Sequence, residues 1–186
     1  MSRTLLIAEA VPLKEGKMEV LVLGEFIRLF RENFRDDYFF ECKSDFLDYL
    51  ERYVVNTQYN KRHGRYKYIH ISAHGRYYKR RGAVLSFPKG DLTFDELPQG
   101  CFKHIMLVTL SACSLGNKAS MEHFIERTQA RCVIAPQNSP RFEDAALWFV
   151  NFYYLLLKQR LPVYDAFGIV NSMVDTKADF QVYPKR

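Results

Sequence analysis

Strand-length runs of uninterrupted apolar residues recur along this 186-residue chain, each followed by a stretch with a different, helical spacing. "HIMLVTLSA" (104–112) is the most apolar of them, and "RTLLIAEA" (3–10), "YKYIHISA" (66–73) and "RCVIAP" (131–136) share its character. A strand wetted on one face alternates apolar and polar residues, whereas a continuous run fits a strand covered on both faces. Helical spacing marks 18–34, with Gly24 as a mild flaw, and 44–58, with Ser44 as N-cap. It marks 118–130, 141–159 and 162–174 as well, the last with Pro162 at its start. "DYFFECK" (37–43) reads as a short strand, and the tail admits another. "AVLSF" and "DLTFDEL", joined by Pro88-Lys89-Gly90, read as a hairpin. The predicted fold is therefore α/β: a three-layer sandwich with a mostly parallel central sheet and helices on both faces.

Length fits a single domain over 1–186, large enough to need neither disulfides nor a structural metal. The formal charge of +6 permits attraction to nucleic acid, acidic proteins or anionic lipid without demonstrating any of them. No apolar run is long enough for a transmembrane helix, and the opening residues do not read as a secretory signal, so a cytoplasmic location is expected. The aromatic stretch "LWFVNFYYLLLKQ" reads as a core helix or docking face rather than an anchor. Cys42, Cys101, Cys113 and Cys132 form no CxxC pair, which argues against a zinc ribbon or a thioredoxin-like site.

Ligand sites in open α/β sheets sit beyond the carboxyl ends of the strands. His74 and Gly75 lie there after the strand at 66–73, and Cys113 lies there after the strand at 104–112. Adjacent strands would bring both side chains to one sheet edge. A thiol nucleophile requires thiolate character, which a nearby imidazole supplies. Acyl transfer also needs donors aimed at the developing oxyanion; the backbone N–H groups of Gly75 and Cys113 are the expected pair. Each residue alone is more often structural, as a satisfied core histidine or a buried inert thiol. Together, at matching strand ends, they favour a His74–Cys113 dyad, and the other three cysteines lack a matching histidine. His70 and His74 share a strand face but stand ~13 Å apart, too far for one metal ion. No metal and no cofactor are expected.

"HISAHG" and "VTLSACSLG" resemble the strand-end blocks of the caspase-like cysteine peptidases, most closely the CHAT family. "ARCVIAPQNSPRFEDAALWFVNFYYLLLKQRLPVYDAF" resembles that family's next strand, loop and helices, so the likeness spans about 66–175. It departs at Pro136-Gln137, where a tryptophan is common, and at Gln129-Ala130, where a glycine is frequent. The resemblance implies a caspase-like sandwich and a cysteine endopeptidase with Cys113 as nucleophile and His74 as its base. It implies that Ser111 borders the pocket for the residue preceding the scissile bond. Gln137, Asn138 and Asp144 then form another wall, with Glu9 contributing. It further implies a peptide or protein substrate, control by a sensor or partner protein, and a role in bacterial defence or cell death.

Two rival readings stay open. One is a catalytically inactive scaffold or binding module on the same fold. The other is a nucleic-acid-binding accessory that uses the tyrosine-interleaved basic segments at 60–68 and 76–82. Cations after His74 would favour acidic substrates, while Glu9 and Asp144 would favour Arg or Lys. The sequence leaves that sign undecided.

Overall fold

The computed structural model describes residues 5–16, 18–30, 35–55, 66–80, 82–175 and 177–184. In chain order the elements begin with β1 (Leu5–Glu9), α1 (Glu19–Arg28), β2 (Arg35–Phe39), α2 (Lys43–Tyr49), β3 (Tyr68–Ser72), β4 (His74–Tyr78), β5 (Gly82–Phe87) and β6 (Gly90–Thr93). They continue with β7 (Leu107–Ser111), α3 (Lys118–Thr128), β8 (Cys132–Pro136), α4 (Phe142–Tyr153), α5 (Val163–Met173) and β9 (Phe180–Pro184). Six strands form one sheet in the order β2-β1-β3-β7-β8-β9. Every pairing in it is parallel except β8 with β9. The α/β class and the mostly parallel sheet expected from the apolar runs are both present.

Period-two alternation sorts each central strand between two cores. Leu6 and Ala8 of β1, Ile69 and Ile71 of β3, and Val108 and Leu110 of β7 enter one core. That core is covered by α2, α3 and the small sheet β4-β5-β6. Leu5, Ile7 and Leu107 enter the other, beneath α1, α4 and α5. The small sheet is pinned by ring contacts at both flanks. Phe87 of β5 lies 5.4 Å from Phe46 of α2, and Phe94 lies 4.9 Å from Phe124 of α3. Among the described residues no helix is long and apolar enough to cross a membrane.

Several elements differ from the sequence reading, among them the start of α2, where Cys42 and not Ser44 takes the N-cap position. The strand placed at 37–43 runs instead over Arg35–Phe39. Its polar start is tolerated because Arg35 donates to Asp37 and the Tyr66 hydroxyl donates to the buried Asp36 at 2.6 Å. The segment after His74, read as a loop, forms strand β4, antiparallel to β5 with His74 opposite Ser86 and Tyr78 opposite Gly82. Its side chains are mostly exposed, so no apolar alternation announced it. Charged residues on such an edge also discourage pairing with a second chain. The basic segment at 60–68 lies outside the described residues up to position 65.

Candidate active site

The candidate dyad rests on one register. β3 and β7 are parallel neighbours with Ser72 opposite Ser111. His74 and Cys113 each lie two residues beyond that pair, so the ladder carries both to the same carboxyl edge. The Ala73 N–H donates to the Ser111 carbonyl at 3.2 Å, which extends the pairing one step past the strands. The chain then turns from the large sheet into β4, and His74 is the first residue of the small sheet.

Gly75 packs its backbone directly on the turn that holds Cys113. A Cβ built on Gly75 would fall 2.6 Å from the Cys113 nitrogen and 2.7 Å from the Ala112 carbonyl carbon, with the Cys113 carbonyl oxygen nearer still. Only glycine permits that approach. Gly75→Ala is therefore expected to separate β4 from the Cys113 turn, at a cost of about 1–3 kcal/mol by overpacking. A displacement near 1 Å at a reacting centre lowers kcat by about 100-fold. Steady-state kinetics beside a denaturation curve checks both effects.

The Cys113 turn is held from the other side. Ser114 adopts a left-handed backbone with φ of 56°. Its N–H donates to the Asn138 carbonyl at 2.9 Å, and its hydroxyl lies 3.0 Å from the Ser139 hydroxyl. A non-glycine residue in this region costs free energy and persists where its surroundings over-determine it. Gly116 then abuts the end of β8, its N–H donating to the Pro136 carbonyl at 2.8 Å. Among the described residues the Cys113 N–H and the His74 Nδ1 make no hydrogen bond. Ser86, the cross-strand neighbour of His74, keeps a buried hydroxyl with no partner among the described residues.

His74 and Cys113 line one cavity of about 480 Å³. Ser111 lines it as well, together with three carboxylates: Glu15, Glu19 and Glu143. Sequence reasoning singled out none of the three. The signal was available, because Glu15 and Glu19 follow the carboxyl end of β1, at the same sheet edge as His74. Glu15 ends a short 3-10 turn over Leu13–Glu15, and its carboxylate accepts from His74 Nε2 at 2.9 and 3.1 Å. That contact holds the imidazole by one nitrogen, Nε2. The two side chains are 45% and 35% exposed, which limits such a pair to about 1 kcal/mol. Glu15→Gln should accordingly lower kcat by no more than about fivefold, with KM unchanged and slower alkylation of Cys113.

The remaining expected wall residues sit elsewhere. Glu9 is fully buried behind the cavity, where it accepts from the Val11 N–H and Val20 N–H at 3.1 Å each and from the Ser72 hydroxyl at 2.8 Å. It thereby ties both ends of the loop that carries Glu15. Burial pushes its carboxyl above the ordinary range, against the pull of these donors. Gln137 and Asn138 do not line the cavity. The Gln137 N–H donates to the Asp179 carbonyl at 2.8 Å, and the Asn138 amide donates to the Lys177 carbonyl. Both brace the 137–139 loop that supports Ser114. Asp144 is likewise outside the cavity wall, and its neighbour Glu143 is in it. Arg76, Lys79 and Arg80 stand exposed on or just after β4 and do not line the cavity.

No protein-family model matches this chain, and no curated protein matches its sequence. The arrangement must be read from its chemistry. Cys101 and Cys132 are buried, and burial pushes their thiols up to about 12 and about 11, which leaves them protonated and inert. Cys113 is half-buried at the cavity wall. Among the described residues no group of three or more His, Cys, Asp or Glu side chains is gathered for a metal ion.

Proposed function

We propose that the chain is a cysteine endopeptidase of the caspase-like, CHAT type, with Cys113 as nucleophile and His74 as its base. The observation that carries this reading is the meeting of two strand ends. The His74-Gly75 segment packs on the Cys113 turn, and both side chains line one cavity at the carboxyl edge of β3 and β7.

In the proposed reaction His74 takes the thiol proton and the Cys113 sulfur attacks the scissile carbonyl carbon. The backbone N–H groups of Gly75 and Cys113 face the developing oxyanion. The C–N bond breaks as the imidazolium returns its proton to the leaving amine, and a thioester remains. Water, deprotonated by His74, then releases the carboxylic acid and restores the thiol. The chemistry requires no cofactor. A cytoplasmic enzyme of this kind, controlled by a sensor or by a second copy and acting in defence or cell death, is the setting the resemblance suggests.

The test is cleavage of a peptide library by the full chain, with labelling of Cys113 by peptidyl acyloxymethyl ketones read by mass spectrometry. Cleavage with label on Cys113 supports the reading. An inert chain that keeps its fold points to a scaffold. Salt-dependent binding of nucleic acid, lost when Arg76, Lys79 and Arg80 are neutralised, points to the accessory role. A folded chain that cleaves no peptide and leaves Cys113 unlabelled overturns the peptidase.

A further inference from the structure

The floor of the cavity is built differently from its rim. Glu19, at the start of α1, is buried, and its side chain is only 3% exposed, yet it lines the cavity. Its Oε1 accepts from the Ser111 hydroxyl at 2.6 Å, and its Oε2 meets His70 Nε2 at 2.7 Å. His70 Nδ1 lies 2.9 Å from the Thr109 hydroxyl, which in turn lies 2.7 Å from the Tyr153 hydroxyl. Burial keeps Tyr153 protonated, and so a donor. The Thr109 hydroxyl also donates to the Ile69 carbonyl at 3.4 Å. Hydrogen bonds thus hold the Glu19 carboxylate at the cavity wall from two sides, His70 on one and the Ser111 hydroxyl on the other.

We infer that this cavity receives a cationic side chain, an arginine or lysine of a peptide, with Glu19 as its charge partner and Ser111 as a second acceptor. The inference rests on the peptidase reading and supplies the substrate class that reading leaves open. The balance of charge at the cavity agrees with it. Three carboxylates, Glu15, Glu19 and Glu143, line the cavity against the cation Arg141 and the imidazole of His74. Arg141 and Glu143 are exposed, where charge is screened, whereas Glu19 acts from within the protein. Between rim and floor the wall is apolar, with Val11, Ala112 and Ala145 available to an aliphatic stem. A cation carried on such a stem matches both halves. An acidic side chain would bring a second carboxylate beside Glu19. The undecided sign of the sequence reading thereby resolves toward basic substrates, through residues other than Glu9 and Asp144.

Two measurements on the full chain test this. Peptide substrates that differ only at the residue preceding the scissile bond should be cleaved at least about tenfold faster with Arg or Lys there than with Met, Leu or Glu. Glu19→Gln should shrink that preference by at least about tenfold, read as the ratio of cleavage after Arg to cleavage after Met within the same protein preparation. Independently, propylguanidinium should bind Cys113→Ala protein, followed by NMR shifts at Ser111 and Glu19, without any need for catalysis. A flat or acid-preferring profile, or a preference untouched by Glu19→Gln, overturns the inference while the peptidase reading stands. Propylguanidinium binding with no cleavage of any peptide keeps the cation site and removes the peptidase. Neither binding nor cleavage removes both. Should Glu19→Gln fail to fold, the wild-type profile and the propylguanidinium titration decide alone.

Discussion

Cys113→Ala is expected to abolish peptide cleavage and leave the fold intact. Removing a nucleophile from a dyad that acts as a unit lowers turnover by on the order of 10⁴ to 10⁶, which in practice leaves no signal above background. The sulfur is half-buried at a cavity wall and makes no hydrogen bond among the described residues, so its removal strands no buried polar group. Stability should stay within about 0.5 kcal/mol of wild type. His74→Ala separates the two halves of the mechanism: turnover is lost, while Cys113 still reacts slowly with a small alkylating reagent as its minor thiolate fraction allows. Cys101 and Cys132, buried and held protonated, should stay unlabelled in the native protein and react only after unfolding. Peptide cleavage that survives in Cys113→Ala would end the mechanism.

His70→Leu should be among the most destabilising single changes available in the chain. His70 is wholly buried, edge-on to Phe149 at 4.6 Å, and its Nε2 meets Glu19 at 2.7 Å. Leucine fills much of the space but leaves the carboxylate facing an apolar group with only Ser111 to solvate it. Leaving the buried Glu19 carboxylate uncompensated costs about 3–5 kcal/mol. For a domain of this size that lowers Tm by roughly 6–20 °C. The double change His70→Leu, Glu19→Leu should recover most of the loss, because replacing both partners by apolar groups removes the stranded charge. Chemical denaturation of the two singles and the double closes the cycle. A double no more stable than His70→Leu would show that the pair is not the source of the cost.

The parallel core was legible because apolar runs announce strands covered on both faces, and Leu5 through Ala8, Ile69, Ile71 and Val108 through Leu110 behave so. The placement of His74 and Cys113 on one cavity wall was legible because it needs only neighbouring strands and the carboxyl-edge rule. Strand β4 was not, since its exposed, basic, aromatic side chains carry no buried face to reveal a period. Glu15 and Glu19 escaped notice for a different reason. Their position depends on how the loop after β1 folds back, which is set by Glu9 gripping two backbone N–H groups eleven and two residues away. Glu9 itself looked like a wall residue because strand direction places it near the edge. Direction alone does not say whether a side chain faces the opening or the helix packed behind it.

His74 begins the small sheet, whereas Cys113 hangs from the last residues of a strand in the large one. The spacing of the two candidate reacting groups is therefore a gap between two separately hydrogen-bonded bodies. Its stiffness comes from Phe46 against Phe87, from Phe94 against Phe124, and from the bare backbone of Gly75 lying on its neighbour. Anything that tilts the three-stranded flap, even by gripping its far solvent-facing side, retunes the separation of imidazole and sulfur without entering the cleft.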